Sequence, residues 1–220
     1  MNRLGTSWIF VLSLVTSTAF ASRVDDYHFQ VYLDNREIGV HRFEVRHTET
    51  QTYVSSEASF DVKFLFVTVY DYLHRNEEVW RGECLQSLTA TTKTNGDSVQ
   101  VKGRYQADGR FVVETPEGKQ PLSSCVRSFV YWDPALLKQS RQLLNAQTGE
   151  LVPVSLQLLG EEGVTVGDSE VRAQRYRLDA GDWQIDLWYR DDTDWVALES
   201  TTESGARLRY RIDAPESVRQ

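Results

Sequence analysis

The chain has 220 residues, 32 acids against 24 bases, a formal net charge of −8, and 40% hydrophobic and 11% aromatic residues. That length can bury one sizeable core, and the composition excludes a disordered or fibrous chain. The acidic balance excludes a nucleic-acid binder that works through a basic face.

Residues 1–21 read as a secretory signal peptide. Met1-Asn2-Arg3 gives a short positive start, Leu4 to Val15 is mostly apolar, and Ser17-Thr18-Ala19-Phe20-Ala21 ends in Ala-x-Ala. The alternative is a short anchor that is never cut, but a span needs about 20 apolar residues and this run is shorter. No cysteine follows it, so a lipoprotein anchor is not expected, and no later stretch is long enough to cross a bilayer. Cleavage after Ala21 removes one base (Arg3) and no acid, taking the net charge from −8 to −9. The expected address is the periplasm, with residues 22–220 as one β-rich domain. In that oxidising compartment the two cysteines, Cys84 and Cys125, are expected to form a disulfide; the alternative is two separately buried thiols.

The rest of the chain reads as a succession of strands. Tyr27, Phe29, Val31 and Leu33 alternate with His28, Gln30 and Tyr32, the period of a half-buried strand. Asp34-Asn35 marks a turn, Ile38 to His47 continues with a phase slip after Gly39 that suggests a bulge, and Tyr53 to Phe60 alternates again. Leu85–Thr92 and Val99–Tyr105 flank Asn95-Gly96, a type I′ hairpin signal, and Asp108-Gly109 is read the same way before Arg110–Thr115. Asp133-Pro134 caps a predicted helix near residues 134–145, where Leu136, Leu137, Leu143 and Leu144 recur at helical spacing. Strands then resume at Leu151–Leu159, around Val171–Leu178, and at Trp183–Arg190, Trp195–Thr202 and Leu208–Ile212. Most carry one apolar and one polar face, so the fold expected is mainly β: a curved antiparallel sheet, half-barrel or open barrel-like, with one principal helix.

Val62 to Leu73 stands out because Phe64, Phe66, Tyr70 and Tyr72 line one face and Leu65, Val67, Val69 and Leu73 the other. Two apolar faces imply that both are covered, by the helix and other strands, by a partner, or by a ligand in a cavity. His74, Glu78 and Trp80 continue the face of Tyr70 and Tyr72. A hydrogen-bonded His74–Glu78 pair at the sheet rim is the simplest reading, since a metal site needs a third ligand that no spacing supplies. The candidate ligand-binding residues are therefore Phe64, Phe66, Tyr70, Tyr72, His74, Glu78 and Trp80. Asp191, Asp192 and Asp194 read as a hairpin turn, and Arg207, Arg209 and Arg211 as the wet face of an edge strand, paired with Glu199 or Asp186.

No Gly-x-Ser-x-Gly elbow, His-Glu-x-x-His, Ser-x-x-Lys or phosphate-binding glycine loop occurs in the chain. No cofactor, metal or catalytic residue is assigned. Several segments together are familiar: Phe29 to Asp34 with Ile38-Gly39 and His41-Arg42-Phe43; Tyr70 to His74 with Glu78, Trp80 and Cys84-Leu85; Tyr131-Trp132-Asp133-Pro134; Gln147-Thr148-Gly149-Glu150; Arg175 to Leu178; and Asp186 to Tyr189. Over nearly all of residues 22–220 the chain resembles an exported bacterial family, domain of unknown function 6134, which brings no activity with it. The C-terminal strand pattern is also similar to periplasmic half-barrel sheet proteins that wrap lipids or lipoproteins, a likeness that does not fix function. The expected function is non-enzymatic binding of a lipid or acyl chain in the concavity of a curved sheet. Alternatives are an interaction or assembly module with an envelope protein as partner, and a hydrolase or isomerase with a site near His74 and Glu78.

Overall fold

The computed structural model describes residues 22–64, 67–202 and 205–212; residues 1–21, read above as a signal peptide, lie outside the described residues. Within them the chain runs β1 (Arg23–Leu33), β2 (Arg36–His47), β3 (Thr52–Phe64), β4 (Val67–Arg81), β5 (Cys84–Thr94), β6 (Asp97–Tyr105), β7 (Phe111–Thr115) and β8 (Gly118–Leu122). A single short helix, α1 (Pro134–Gln139), and β9 (Gln142–Leu144) follow. The chain then completes β10 (Leu151–Val166), β11 (Ser169–Ala180), β12 (Trp183–Arg190), β13 (Asp194–Thr201) and β14 (Arg207–Ile212).

These fourteen strands form one antiparallel sheet in the order β8-β7-β6-β5-β4-β3-β2-β1-β14-β13-β12-β11-β10-β9. The chain is two meanders joined where β14 zips onto β1, with Val31 opposite Tyr210 and Phe29 opposite Ile212. β14 is therefore a central strand and not the edge expected from its arginines. Its Arg207 does meet Glu199, at 3.2 Å, whereas Asp186 is taken by Arg175 and Arg177.

The sheet is curved and does not close. Its β8 edge is short and carries Pro121, which cannot extend a ladder. At the other end, Leu144 of β9 donates to Arg127 O at 2.7 Å, so the chain before α1 covers that edge. The same stretch reaches β5, where Leu85 N donates to Val126 O at 2.9 Å, and Cys84 and Cys125 are disulfide-bonded there. A crosslink across 41 residues stabilises the fold by about 4 kcal/mol on the chain-entropy account.

Residues 126–144 thus fill one end of the concavity with fully buried Val130, Leu137, Leu143 and Leu144. Each residue of the Tyr131-Trp132-Asp133-Pro134 stretch has a visible task. The Tyr131 carbonyl accepts from Tyr189 Oη at 2.8 Å, and Trp132 packs edge-on against Trp80. Asp133 caps α1 by accepting from Ala135 N and Leu136 N, and Pro134 opens the helix. The helix is shorter than its leucine spacing implies. Ser140 turns extended, its hydroxyl donating to Leu136 O, and Leu143 and Leu144 pair with β10 instead.

Two of the register shifts among the described strands fall at glycine, at Gly39 and Gly160, and those at Val62/Lys63, Val79/Trp80 and Trp188/Tyr189 do not. Val31 faces Gly39 while Tyr32 faces Glu37, leaving Ile38 as the extra residue of the expected bulge. Asn95 and Gly96 both take positive φ, as a type I′ turn requires. The Asp108-Gly109 turn differs. Only Gly109 has positive φ there, and Asp108 holds the turn by accepting from Arg110 N. Asp191 and Asp192 occupy left-handed backbone in the β12–β13 turn.

The doubly covered strands are not the ones the sequence singled out. On the outward face of β4 Val69 is 54% exposed and Leu73 half-buried, while Leu65 and the side chain of Val67 lie outside the described residues. On β12 and β13 both faces are buried. Inward lie Ile185, Leu187, Tyr189 and Trp195; outward, Trp188, Val196 and Ala197 pack under Val164, Val166, Val171 and Ala173 of the β10–β11 hairpin. A register shift at Gly160 lets that long hairpin bend over the outside of the sheet. Beneath it Asp186 binds Arg175 and Arg177, and Trp188 Nε1 donates to Glu162 at 2.7 Å. Burial pushes the Asp186 carboxyl up, but the two guanidiniums outweigh it and hold the group below the usual carboxylate range.

Candidate functional site

The inward face of β4 presents Tyr70, Tyr72, His74, Asn76, Glu78 and Trp80 in an uninterrupted period of two, because no bulge disturbs the pairing with β3 over these residues. Opposite them stand inward residues of β2, β3 and β14, and the chain around α1 roofs one end. Between these walls lies a cleft of about 380 Å³, within the size range of small-molecule pockets.

Its long wall is aromatic. Phe43, Phe60, Tyr72, Tyr131, Trp195 and Tyr210 all face it, with Ile185, Leu198 and Leu208 between them. The rings support one another: Phe60 stacks on Tyr72 at 5.2 Å, and Trp195 packs between Phe43 at 5.1 Å and Tyr131 at 5.5 Å. Trp183 also borders the cleft and is 44% exposed, which places it at the mouth. Burial raises the Tyr72, Tyr131 and Tyr210 hydroxyls well above the ordinary phenol, so all three stay neutral.

The other wall is polar and buried. Glu78 accepts from Asn76 Nδ2 and from Trp80 Nε1, each at 2.8 Å. Burial raises its carboxyl above the usual range, against Asn76, Ser128 and Trp80, which favour the ionised form. His74 Nδ1 meets the Thr92 hydroxyl at 2.9 Å, and His41 Nδ1 the Tyr210 hydroxyl at 3.4 Å. Desolvation pushes the His74 pKa down to about 4 and that of His41 to about 3, with His74 adding to the latter. Although His41 as a residue is half-buried, its Nε2 is sealed from solvent. Two buried polar atoms on this wall, His41 Nε2 and Asn76 Oδ1, have no partner among the described residues, and Ser128 Oγ meets none at full hydrogen-bond geometry, acting on Glu78 from nearby.

Of the residues expected from sequence, Tyr72, His74 and Glu78 line the cleft. Tyr70 stacks on Tyr72 further along the strand, and Trp80 is fully buried beneath Glu78. Phe66 lies outside the described residues, as does the side chain of Phe64. The expected His74–Glu78 hydrogen bond is replaced. Asn76 stands between the two on the same face and takes Glu78, while His74 turns to Thr92. Both are buried and not at a rim. Sequence reasoning missed His41, Phe43, Ser128, Trp183, Trp195 and Tyr210. Their only common signal is an inward position in strands or loops far apart in the chain. Among the described residues, no three His, Cys, Asp or Glu side chains are grouped to hold a metal.

Fold and cleft together define a β-barrel-like protein, an open curved sheet around an internal aromatic cleft. The chain belongs to the family described as domain of unknown function DUF6134, whose profile matches residues 29–213. A β-barrel-like protein of domain of unknown function DUF1849 from Brucella abortus has a similar solved structure. It superposes with a TM-score of 0.63 at 10% identity, covering 86% of this chain and 95% of that one. At that identity the likeness shows the fold alone. No curated protein matches the chain.

Proposed function

We propose that the protein is a non-enzymatic periplasmic binding protein that holds a lipid or acyl chain in the concavity of its sheet. The carrying observation is the cleft itself, an aromatic and aliphatic wall facing a few buried polar atoms that lack partners. Small-molecule sites are built this way, with apolar surface for affinity and a few polar groups for orientation. The non-enzymatic reading is supported by the lack of a His74–Glu78 contact, since His74 is held by Thr92 and Glu78 by Asn76 and Trp80. Export is supported by the apolar N-terminal segment and by the Cys84–Cys125 bond.

Native mass spectrometry of the purified protein, with solvent extraction of any cargo, tests the reading. The expected result is a bound species that extraction removes and that a neutral acyl probe replaces. Repeated absence of cargo together with no uptake of the probe contradicts it. A second reading, an assembly module of the cell envelope, draws on Leu158 and Leu159, adjacent exposed leucines beside the Gly160 bulge. A mass that rises with concentration in light scattering, with no cargo, favours that one.

A further inference from the structure

The charge inventory of the cleft narrows its ligand, given the binding reading above. Among the described residues lining it there is one acid, Glu78, and neither lysine nor arginine. The two histidines are neutral at pH 7, because burial holds their pKa values near 3 and 4. A carboxylate or phosphate entering the cleft therefore finds no counter-charge and a buried acid beside it, which is the costly way to bury an anion.

The hydrogen-bonding inventory points the same way. Asn76 and Ser128 are more than nine-tenths buried; Asn76 Oδ1 has no partner among the described residues, and Ser128 Oγ has none at full hydrogen-bond geometry. An amide oxygen needs a donor, and a carboxylate has none to give. A hydroxyl or amide N–H supplies one. Glu78 itself is already taken up by Asn76 and Trp80.

We infer that the ligand's polar end is uncharged and carries a hydroxyl or amide, so that the cleft selects neutral amphiphiles over fatty-acid anions. The apolar tail lies along Phe60, Tyr72 and Leu208, and the head sits between Asn76 and Ser128.

Displacement of a neutral fluorescent acyl probe from the full-length mature protein at pH 7.5 tests this, with decanol, decanamide and decanoate as competitors. Decanol and decanamide are expected to displace the probe at concentrations at least tenfold below decanoate. Ser128→Ala, which leaves the Glu78 bonds to Asn76 and Trp80 in place, is expected to weaken decanol severalfold and leave decanoate unchanged. Decanoate competing as well as decanol overturns the inference while the binding reading stands. If the probe itself does not bind, the binding reading fails, and this one falls with it.

Discussion

Trp80 Nε1 donates to Glu78 Oε2 at 2.8 Å, from the next inward position on the same strand. The fully buried indole thus anchors the one acid among the described residues of the cleft from below, while Asn76 holds its other oxygen. A carboxyl in this position is satisfied by hydrogen bonds but not by charge, and burial raises its pKa.

Truncating this acid separates its two contributions. Glu78→Ala strands the Trp80 N–H and the Asn76 amide, and a loss of about 2–4 kcal/mol is expected from two buried groups left unpaired. Glu78→Gln keeps an acceptor for Trp80 and removes the titrating charge. A raised folded pKa means stability is lost as pH rises through it, so the Gln variant is expected to match or exceed wild type at pH 8. Urea denaturation at pH 5 and 8 checks both. A Gln variant as unstable as the Ala variant at pH 8 contradicts this account of Glu78.

The buried histidines act at the acid side. Their folded pKa values lie below the ordinary 6.5, so the unfolded chain takes up protons that the folded one refuses. Stability is full above pH 6.5 and falls as the pH drops from there toward about 4 for His74 and about 3 for His41. For His74 the loss by pH 4 has an upper bound of about 3 kcal/mol. His74→Asn is expected to flatten the dependence of Tm on pH between 6.5 and 4. An unchanged slope shows that His74 is not neutral and buried in solution.

Gly149 ends the stretch that roofs the cleft. Its φ is +79°, and a Cβ there stands 2.5 Å from Thr115 Cγ2 and 3.1 Å from Val113 Cγ1. Gly149→Ala therefore combines left-handed strain with a clash between the β9–β10 turn and β7, and a loss of about 2–3 kcal/mol is expected. Thermal unfolding measures it. A variant as stable as wild type means the turn does not pack on β7.

The strand pattern was legible because most strands alternate cleanly, as in Tyr27, Phe29 and Val31. β8 was not, since Lys119, Gln120 and Pro121 carry no alternation; pairing alone makes it a strand. Apolarity on both sides of Val62–Leu73 was a poor guide to coverage. Which outer face is covered depends on where the β10–β11 hairpin bends, a consequence of the Gly160 shift, and it covers Trp188 and not Val69. The site was half legible for a related reason. Tyr72, His74 and Glu78 share one strand, so their common face follows from period two. Trp195 and Tyr210 join them only because β14 pairs with β1, a contact across most of the chain that no local signal encodes, whereas His41 reaches them through the β2–β3–β4 meander, opposite Ala58, which in turn faces His74.

The central claim is that the aromatic cleft holds the ligand, and filling the cleft tests it most directly. Ala58 is buried on the cleft wall, and Ala58→Phe places a ring in that space. Fluorescence titration of a neutral acyl probe into wild type and this variant, with Tm recorded for both, is the measurement. Saturable binding by wild type and at least tenfold weaker binding by a folded Ala58→Phe protein is the expected result. Equal affinity in the two proteins, or no binding to wild type, contradicts the claim.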